Sequence, residues 1–280
     1  MKDVIRFFIA ALFTLVTFTS NAQVVVDAHG HRVVSKVVSS YYSTKTVTLS
    51  FTYDDALRLT GLVREVDDVS SDVSIKDVMW VDGMVIRRKS YMDGKDIGSS
   101  VYDFDDRGVI VRRTGYGDRV RPFYSYHYED VDGEWKLIRE DMVMLALTAD
   151  GMWESGENVD MRIFGYADGD LEYGHDAFSV GYDSEGVAVP NRVRIKWDDI
   201  VYSPVENDMN ISVTELLFDG DYLADFERVS TWMNTRSRHL PLSKRDMKAS
   251  YEKDVEGSVV RIKVEECGCV VLDVSIEYLR

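Results

Sequence analysis

The chain has 280 residues, and 33 Lys and Arg against 49 Asp and Glu give it a formal net charge of −16. So acidic a surface repels nucleic acid and anionic lipid, and no basic stripe reverses this locally; nucleic acid is set aside as a partner. Hydrophobic residues make up 45% of the composition, which suits a globular protein and argues against a disordered one.

The chain opens on an address. Lys2 and Arg6 lie in a basic stretch, residues 7–18 are apolar, and the small residues Ser20 and Ala22 close the segment. That is the order of a secretory signal peptide, and it predicts cleavage between Ala22 and Gln23. The apolar run is too short for a comfortable span, which needs about 20 residues, and no later run is long enough for a transmembrane helix. Residues 1–22 carry a net +1, so the mature chain, expected as a single β domain over 23–280, stands at −17.

Asp27-Ala-His-Gly-His follows the first apolar run. An H-x-H after a strand is how barrel metallohydrolases begin, which makes His29 and His31 candidate ligands. Such a centre needs further ligands converging from later strands. His127, His175 and His239 are the remaining histidines: one inside an alternating strand, one after a glycine, one in the "RSRHLP" stretch. The segments between strands also read as hairpin turns, where a (β/α)₈ barrel requires helices. Residues 27–31 are therefore expected to form an exposed turn with Gly30 at its centre.

From residue 46 the pattern is β. In "TVTLSFTYD" (46–54) Val47, Leu49, Phe51 and Tyr53 alternate with threonines and a serine. "RVRIKWD" (192–198) and "LDVSIEY" (272–278) alternate in the same way, the signature of antiparallel strands with one buried and one wet face. Asp-Gly pairs at 82–83, 93–94, 132–133, 150–151, 168–169 and 219–220 supply hairpin turns. Gly133, Gly151, Gly169 and Gly186 recur at intervals of 18, 18 and 17, which suits paired short strands or single long ones. Residues 53–66 read as strand–turn–strand despite a helical spacing of apolar residues, and 222–233 as a short helix.

The two cysteines, Cys267 and Cys269, flank Gly268; a bend there permits a tight bridge, and they are expected to be a structural pair. Aligning Gly133 to the sixth position of a calcium loop places Tyr128 first and Arg139 twelfth, so the loop fails. There is no G-x-S-x-G, phosphate-binding or dinucleotide fingerprint. Carboxylates are too numerous for any pair to be singled out as acid and base. No catalytic, cofactor-binding or metal-ligating residue is nominated. Trp135, Trp153 and Trp197 are expected in the core or in cross-strand pairs.

Residues 51–62, 101–113, 126–138 and 180–189 resemble the degenerate Tyr-Asp…Gly hairpins of Rhs/YD-type secreted bacterial proteins. With "RSRHLPLSK" (236–244) preceding "SYEKDVEGSVVRIKV" (250–264), the order is similar to a family of secreted Gram-negative proteins of unknown function. That resemblance implies a porin-like fold: all-β, an extended and curved antiparallel sheet of repeated hairpins, open or partly closed like a barrel. The 53–58 copy departs from the pattern by lacking its turn glycine. The expected function is that of an exported, non-enzymatic β-sheet protein, periplasmic, extracellular or outer-membrane-associated, that binds or scaffolds an envelope ligand, glycan or protein. A metal-dependent hydrolase built on His29 and His31, and an outer-membrane barrel, are the alternatives. Against the barrel, "VIRRKS" and "VIVRRTG" put charge on both strand faces.

Overall fold

The computed structural model describes residues 23–82, 85–92, 95–107, 109–115, 117–195, 199–218 and 234–280. The expected signal peptide and the 222–233 helix lie outside the described residues. Strands β1 (Val34–Tyr41), β2 (Lys45–Tyr53), β3 (Leu59–Asp68), β4 (Val73–Asp82), β5 (Val85–Met92) and β6 (Lys95–Phe104) come first. They are followed by β7 (Ile110–Thr114), β8 (Val120–Val131), β9 (Glu134–Leu147), β10 (Trp153–Ala167), β11 (Asp170–Tyr182) and β12 (Ala188–Ile195). The last are β13 (Ile200–Glu206), β14 (His239–Lys244), β15 (Met247–Lys253), β16 (Val259–Glu266) and β17 (Cys269–Tyr278), with helix α1 (Val213–Phe218) between β13 and β14.

All 17 strands belong to one antiparallel sheet that curls round without closing. Its ladders run from β13 through β14 to β17, across to β1, and on in chain order to β12. Direction alternates at every step of that path. Because β17 is antiparallel to β1 and β12 to β11, β12 and β13 run the same way and form two lengths of a single traverse. The Tyr202 hydroxyl of β13 accordingly bonds Leu171 O of β11 (2.8 Å). At one rim, Arg238 N–H to Gly169 O (3.0 Å) and His239 N–H to Asp170 Oδ1 (2.7 Å) tie the two sides of this traverse together. The spaced glycines mark single long strands, since β9, β10 and β11 hold 14, 15 and 13 residues.

Period-two alternation decides which face is inside. Val47, Leu49 and Phe51 of β2, Ile262 and Val264 of β16, and Leu272, Val274 and Ile276 of β17 are buried in one core. Each such aliphatic side chain contributes about 1.5–3 kcal/mol when fully removed from water. The intervening residues face out and pair there, as Lys36 with Glu277 (3.0 Å), Lys76 with Glu65 (2.7 Å) and Arg261 with Asp273 (2.6 Å). The side chains of 192–198 lie outside the described residues.

Two local devices recur. In the first, an aspartate accepts the N–H groups two and four residues on, at 2.8–3.1 Å, as Asp27, Asp54, Asp105, Asp183 and Asp254 each do. After Asp27, Asp183 and Asp254 the residue three on is a glycine of positive φ: Gly30 at 84°, Gly186 at 79° and Gly257 at 81°. Where the 53–58 copy lacks a glycine, Leu57 takes that conformation at 59°, held by the Asp54 bonds. Residues 53–66 are thus strand, turn and strand. In the second device, Tyr53, Tyr128, Tyr166, Tyr202, Tyr251 and Tyr278 each point inward and donate to a main-chain carbonyl of an earlier strand, Val34, Ile110, Leu137, Leu171, Pro241 and Val259 respectively. Every one sits near the rim end of its strand, so the hydroxyls satisfy carbonyls that the inner layer would otherwise strand without water.

A curled sheet with an oily inner face needs filling. Residues 207–218 and 234–238 do this, and all six residues of α1 are buried, Thr214 and Glu215 included. Ser212 caps the helix, its Oγ accepting from Glu215 N–H (3.4 Å). Glu215 faces Arg162 of β10 at 3.7 Å and accepts from Thr235, while Arg162 also reaches Glu140 of β9 at 3.4 Å. Arg64 and Asp77, directly opposed across β3 and β4, form another buried pair at 2.8 Å. The concave side is therefore occupied by the chain's own segment. Among the described residues no helix is long and apolar enough to cross a membrane.

Candidate functional site

The 27–31, 54–58, 105–109, 132–133 and 168–169 turns gather at one rim, where the filling segment enters at Asn207 and leaves at Arg236. Two adjoining clefts of about 330 and 380 Å³ open there and share His29, His31, Glu134 and Arg236. The first extends towards Lys136, Asp208 and Arg238, the second towards Leu57, Arg107, Trp135 and Asn234. The N-terminal segment is placed by the sheet: Val25 N–H bonds Leu279 O (3.0 Å), and Leu279 N–H bonds Val33 O (2.8 Å). That pairing carries the Asp27 turn to the rim.

At the centre is His31. Its Nδ1 lies 3.2 Å from Asp27 Oδ2, and its Nε2 lies 3.3 Å from Glu134 Oε1 and also contacts the Arg236 guanidinium. Glu134 bridges the cations, with Oε1 at 2.6 Å from Arg236 Nη2 and Oε2 at 2.5 Å from Lys136 Nζ. The ammonium of Lys136, only 2% exposed, also donates to Arg236 O (2.5 Å). Arg236 Nη1 donates to Asn207 O (2.7 Å) and Ser237 O (3.1 Å). The cluster thus clasps three chain segments that lie about one hundred residues apart.

Burial alone would raise the pKa of both carboxyl groups, yet contact reverses it. Against that burial, the His31 and Lys136 bonds hold the Glu134 carboxyl well below the usual range, and the His31 bonds lower that of Asp27. Burial would lower His31, but the Asp27 and Glu134 carboxylates raise it above its ordinary value. Burial pushes Lys136 down, against the pull of Glu134. The cations and anions here are matched to one another, and no serine, threonine or cysteine side chain hydrogen-bonds His31 among the described residues.

The structure separates the histidines. His29 lies exposed in the same turn, its ring stacked 5.9 Å from that of His31. His127 faces out beside Asp141 (3.0 Å), His239 meets Asp170 (2.8 Å) at the rim, and the His175 side chain lies outside the described residues. Among the described residues no three His, Cys, Asp or Glu side chains form a metal-holding group. The expected turn at 27–31 is present, with Gly30 at φ 84°.

One point that the sequence leaves open is answered and one expectation is corrected. Cys267 and Cys269 are both exposed and unbridged: Cys267 (φ 51°) and Gly268 (φ 81°) are the central residues of the β16–β17 turn, so Cys269 starts the return strand instead of folding back onto Cys267. Trp135 is not a core residue. It is 45% exposed in the rim cleft, with the Arg107 guanidinium 4.1 Å from its ring centroid. Trp153 is half-buried under Arg121 (3.7 Å), and the Trp197 side chain lies outside the described residues. Glu134, Lys136 and Arg236 were not predicted from sequence; nothing local in "DGEWKLI" or "NTRSRH" marks them as neighbours of residue 31.

A crystal structure of a porin-like protein from Bacteroides uniformis is similar to this chain, with a TM-score of 0.55 and 13% identity over 88% of this chain and 98% of that one. At that identity the likeness is one of fold. No family model and no curated protein matches the chain, so kinship with Rhs/YD-type repeats has no support beyond the hairpins themselves.

Proposed function

We propose that this is an exported, non-enzymatic β-sheet protein of the cell envelope that binds a ligand through the rim cleft. The observation carrying this reading is a solvent-open cleft at the rim of a sheet whose interior is otherwise filled, with the cleft's ionisable groups already paired to each other. General acid–base or nucleophilic work needs a group free to exchange a proton with substrate. In this cluster both nitrogens of His31 are engaged. A divalent cation on His31 Nε2 would also sit against the Arg236 guanidinium, which disfavours the hydrolase reading. Export rests on the basic, apolar and small-residue order of residues 1–22, and the porin-like fold is compatible with an envelope location.

The test is native mass spectrometry of the protein recovered from envelope and cytosol of a Gram-negative host expressing residues 1–280. The expected product is an envelope species beginning at Gln23 and carrying no stoichiometric metal. Cytosolic protein retaining residues 1–22 would overturn export. A stoichiometric zinc-like mass lost in the His29→Ala, His31→Ala double variant would replace the binding reading with a metal site.

A further inference from the structure

Building on the binding reading above, we infer that the cleft between the 27–31 turn and Trp135 takes a neutral oligosaccharide, with the Trp135 ring against a sugar face and His29 and Asn234 bonding its hydroxyls.

Trp135 is an anomaly in its strand. Its neighbours Lys136 and Leu137 are buried, while the tryptophan stands 45% exposed in a cleft. Leaving so large a ring in water forgoes burial worth about 25 cal/mol per Å². The ring is also held. Arg107 lies over it, and Asp105 fixes Arg107 through Oδ2 at 2.8 Å from Nε. A flat apolar surface fixed in orientation at the mouth of a polar cleft costs little further entropy on binding.

The remaining lining selects the kind of ligand. Asp27, His31, Glu134 and Arg236 are spent on one another, so a charged ligand has to break a pair to gain one. Among the described residues the His29 ring and the Asn234 side chain make no hydrogen bond or ion pair, and both line the cleft. What is offered, beside an Arg107 already paired to Asp105, is the apolar ring of Trp135 and the unengaged hydrogen-bonding edges of His29 and Asn234. A pyranose presents the complement: C–H groups on one face and hydroxyls at its rim, each able to donate and accept. The net charge of −16 opposes polyanionic chains. The cleft, about 380 Å³, lies within the range of small-molecule sites.

The experiment is calorimetric titration of the whole mature chain with neutral gluco-, xylo-, manno- and chito-oligosaccharides, with oligogalacturonate and short peptides in parallel. At least one neutral series is expected to bind. Trp135→Ala should then weaken that binding about tenfold or more, and Asn234→Ala severalfold, with the urea midpoint of both variants unchanged. Trp135→Phe, which keeps a ring, should lose less than Trp135→Ala. Neutral binding indifferent to Trp135→Ala overturns the inference. Trp135-dependent binding of oligogalacturonate or peptide alone also overturns it, yet leaves the binding reading standing. No Trp135-dependent binding in any class removes both.

Discussion

His31 sits where three parts of the chain meet, and its protonation state governs how tightly they hold. The Asp27 and Glu134 carboxylates raise its folded-state value above the ordinary 6.5, in opposition to burial and to Arg236. A basic group raised on folding contributes stability that is complete below its unfolded value and fades as pH rises through the folded one. Glu134 behaves oppositely: its value is depressed from 4.5, so its contribution is present above that value and is lost only in strong acid. The clasp is therefore strongest between these two limits. The urea midpoint of the wild-type protein should fall as pH rises above about 6.5, relative to His31→Gln, whose profile should be flatter. The difference between the two profiles removes the general effect of growing net negative charge. Parallel profiles would mean that His31 does not couple to folding. This site was half legible in the sequence. Asp27 and His31 are four residues apart and share a turn type that recurs down the chain, so their pairing is local. Glu134 and Arg236 join only because the sheet carries β9 round to the N-terminal segment, and no local pattern encodes that meeting.

Strands were legible wherever one face is apolar and the other wet, as in 46–54 and 272–278, because burial on a curled sheet obeys the same period-two rule as the backbone. The filling segment was not. Ser212 and Glu215 have the spacing of a helix-capping box, and α1 follows, yet no helix was expected at 213–218; the one expected at 222–233 lies outside the described residues. Thr214 and Glu215 read as surface residues, and only enclosure by distant strands buries them. The tyrosine device lies between these cases. The residues stand out as a type, but their function depends on a carbonyl one strand away. Tyr278 is buried and donates to Val259 O at 2.7 Å, so Tyr278→Phe leaves a buried carbonyl without its partner. The expected loss is about 1–2 kcal/mol in urea denaturation with the slope unchanged. Tyr42, 65% exposed at a turn, supplies the control, and Tyr42→Phe should be neutral. Equal effects from both would show that the inward hydroxyls do not matter as a set.

A porin-like fold invites the expectation of a membrane pore, and two properties of the whole molecule oppose it here. Outward positions carry Lys36–Glu277, Lys76–Glu65, Lys263–Glu252 and Arg261–Asp273 at 2.6–3.0 Å. In water such pairs contribute little, about 0–1 kcal/mol each, but on a lipid-facing strand a single Lys or Arg at the bilayer midplane costs about 2–4 kcal/mol. The inner face reverses the pore pattern too. Leu49, Phe51, Leu62 and Met79 are packed against one core with α1, where a water-filled lumen needs polar side chains. The same alternation that makes an outer-membrane barrel apolar outside and wet inside is thus inverted. The mature protein should stay in the aqueous fraction when floated with phosphatidylethanolamine–phosphatidylglycerol vesicles, remain monodisperse without detergent, and give no step conductance in planar bilayers. Co-flotation with discrete conductance steps would require the outward charges to leave the lipid face and the 207–218 segment to leave the interior, a rearrangement that would invalidate the filled-sheet account of the fold.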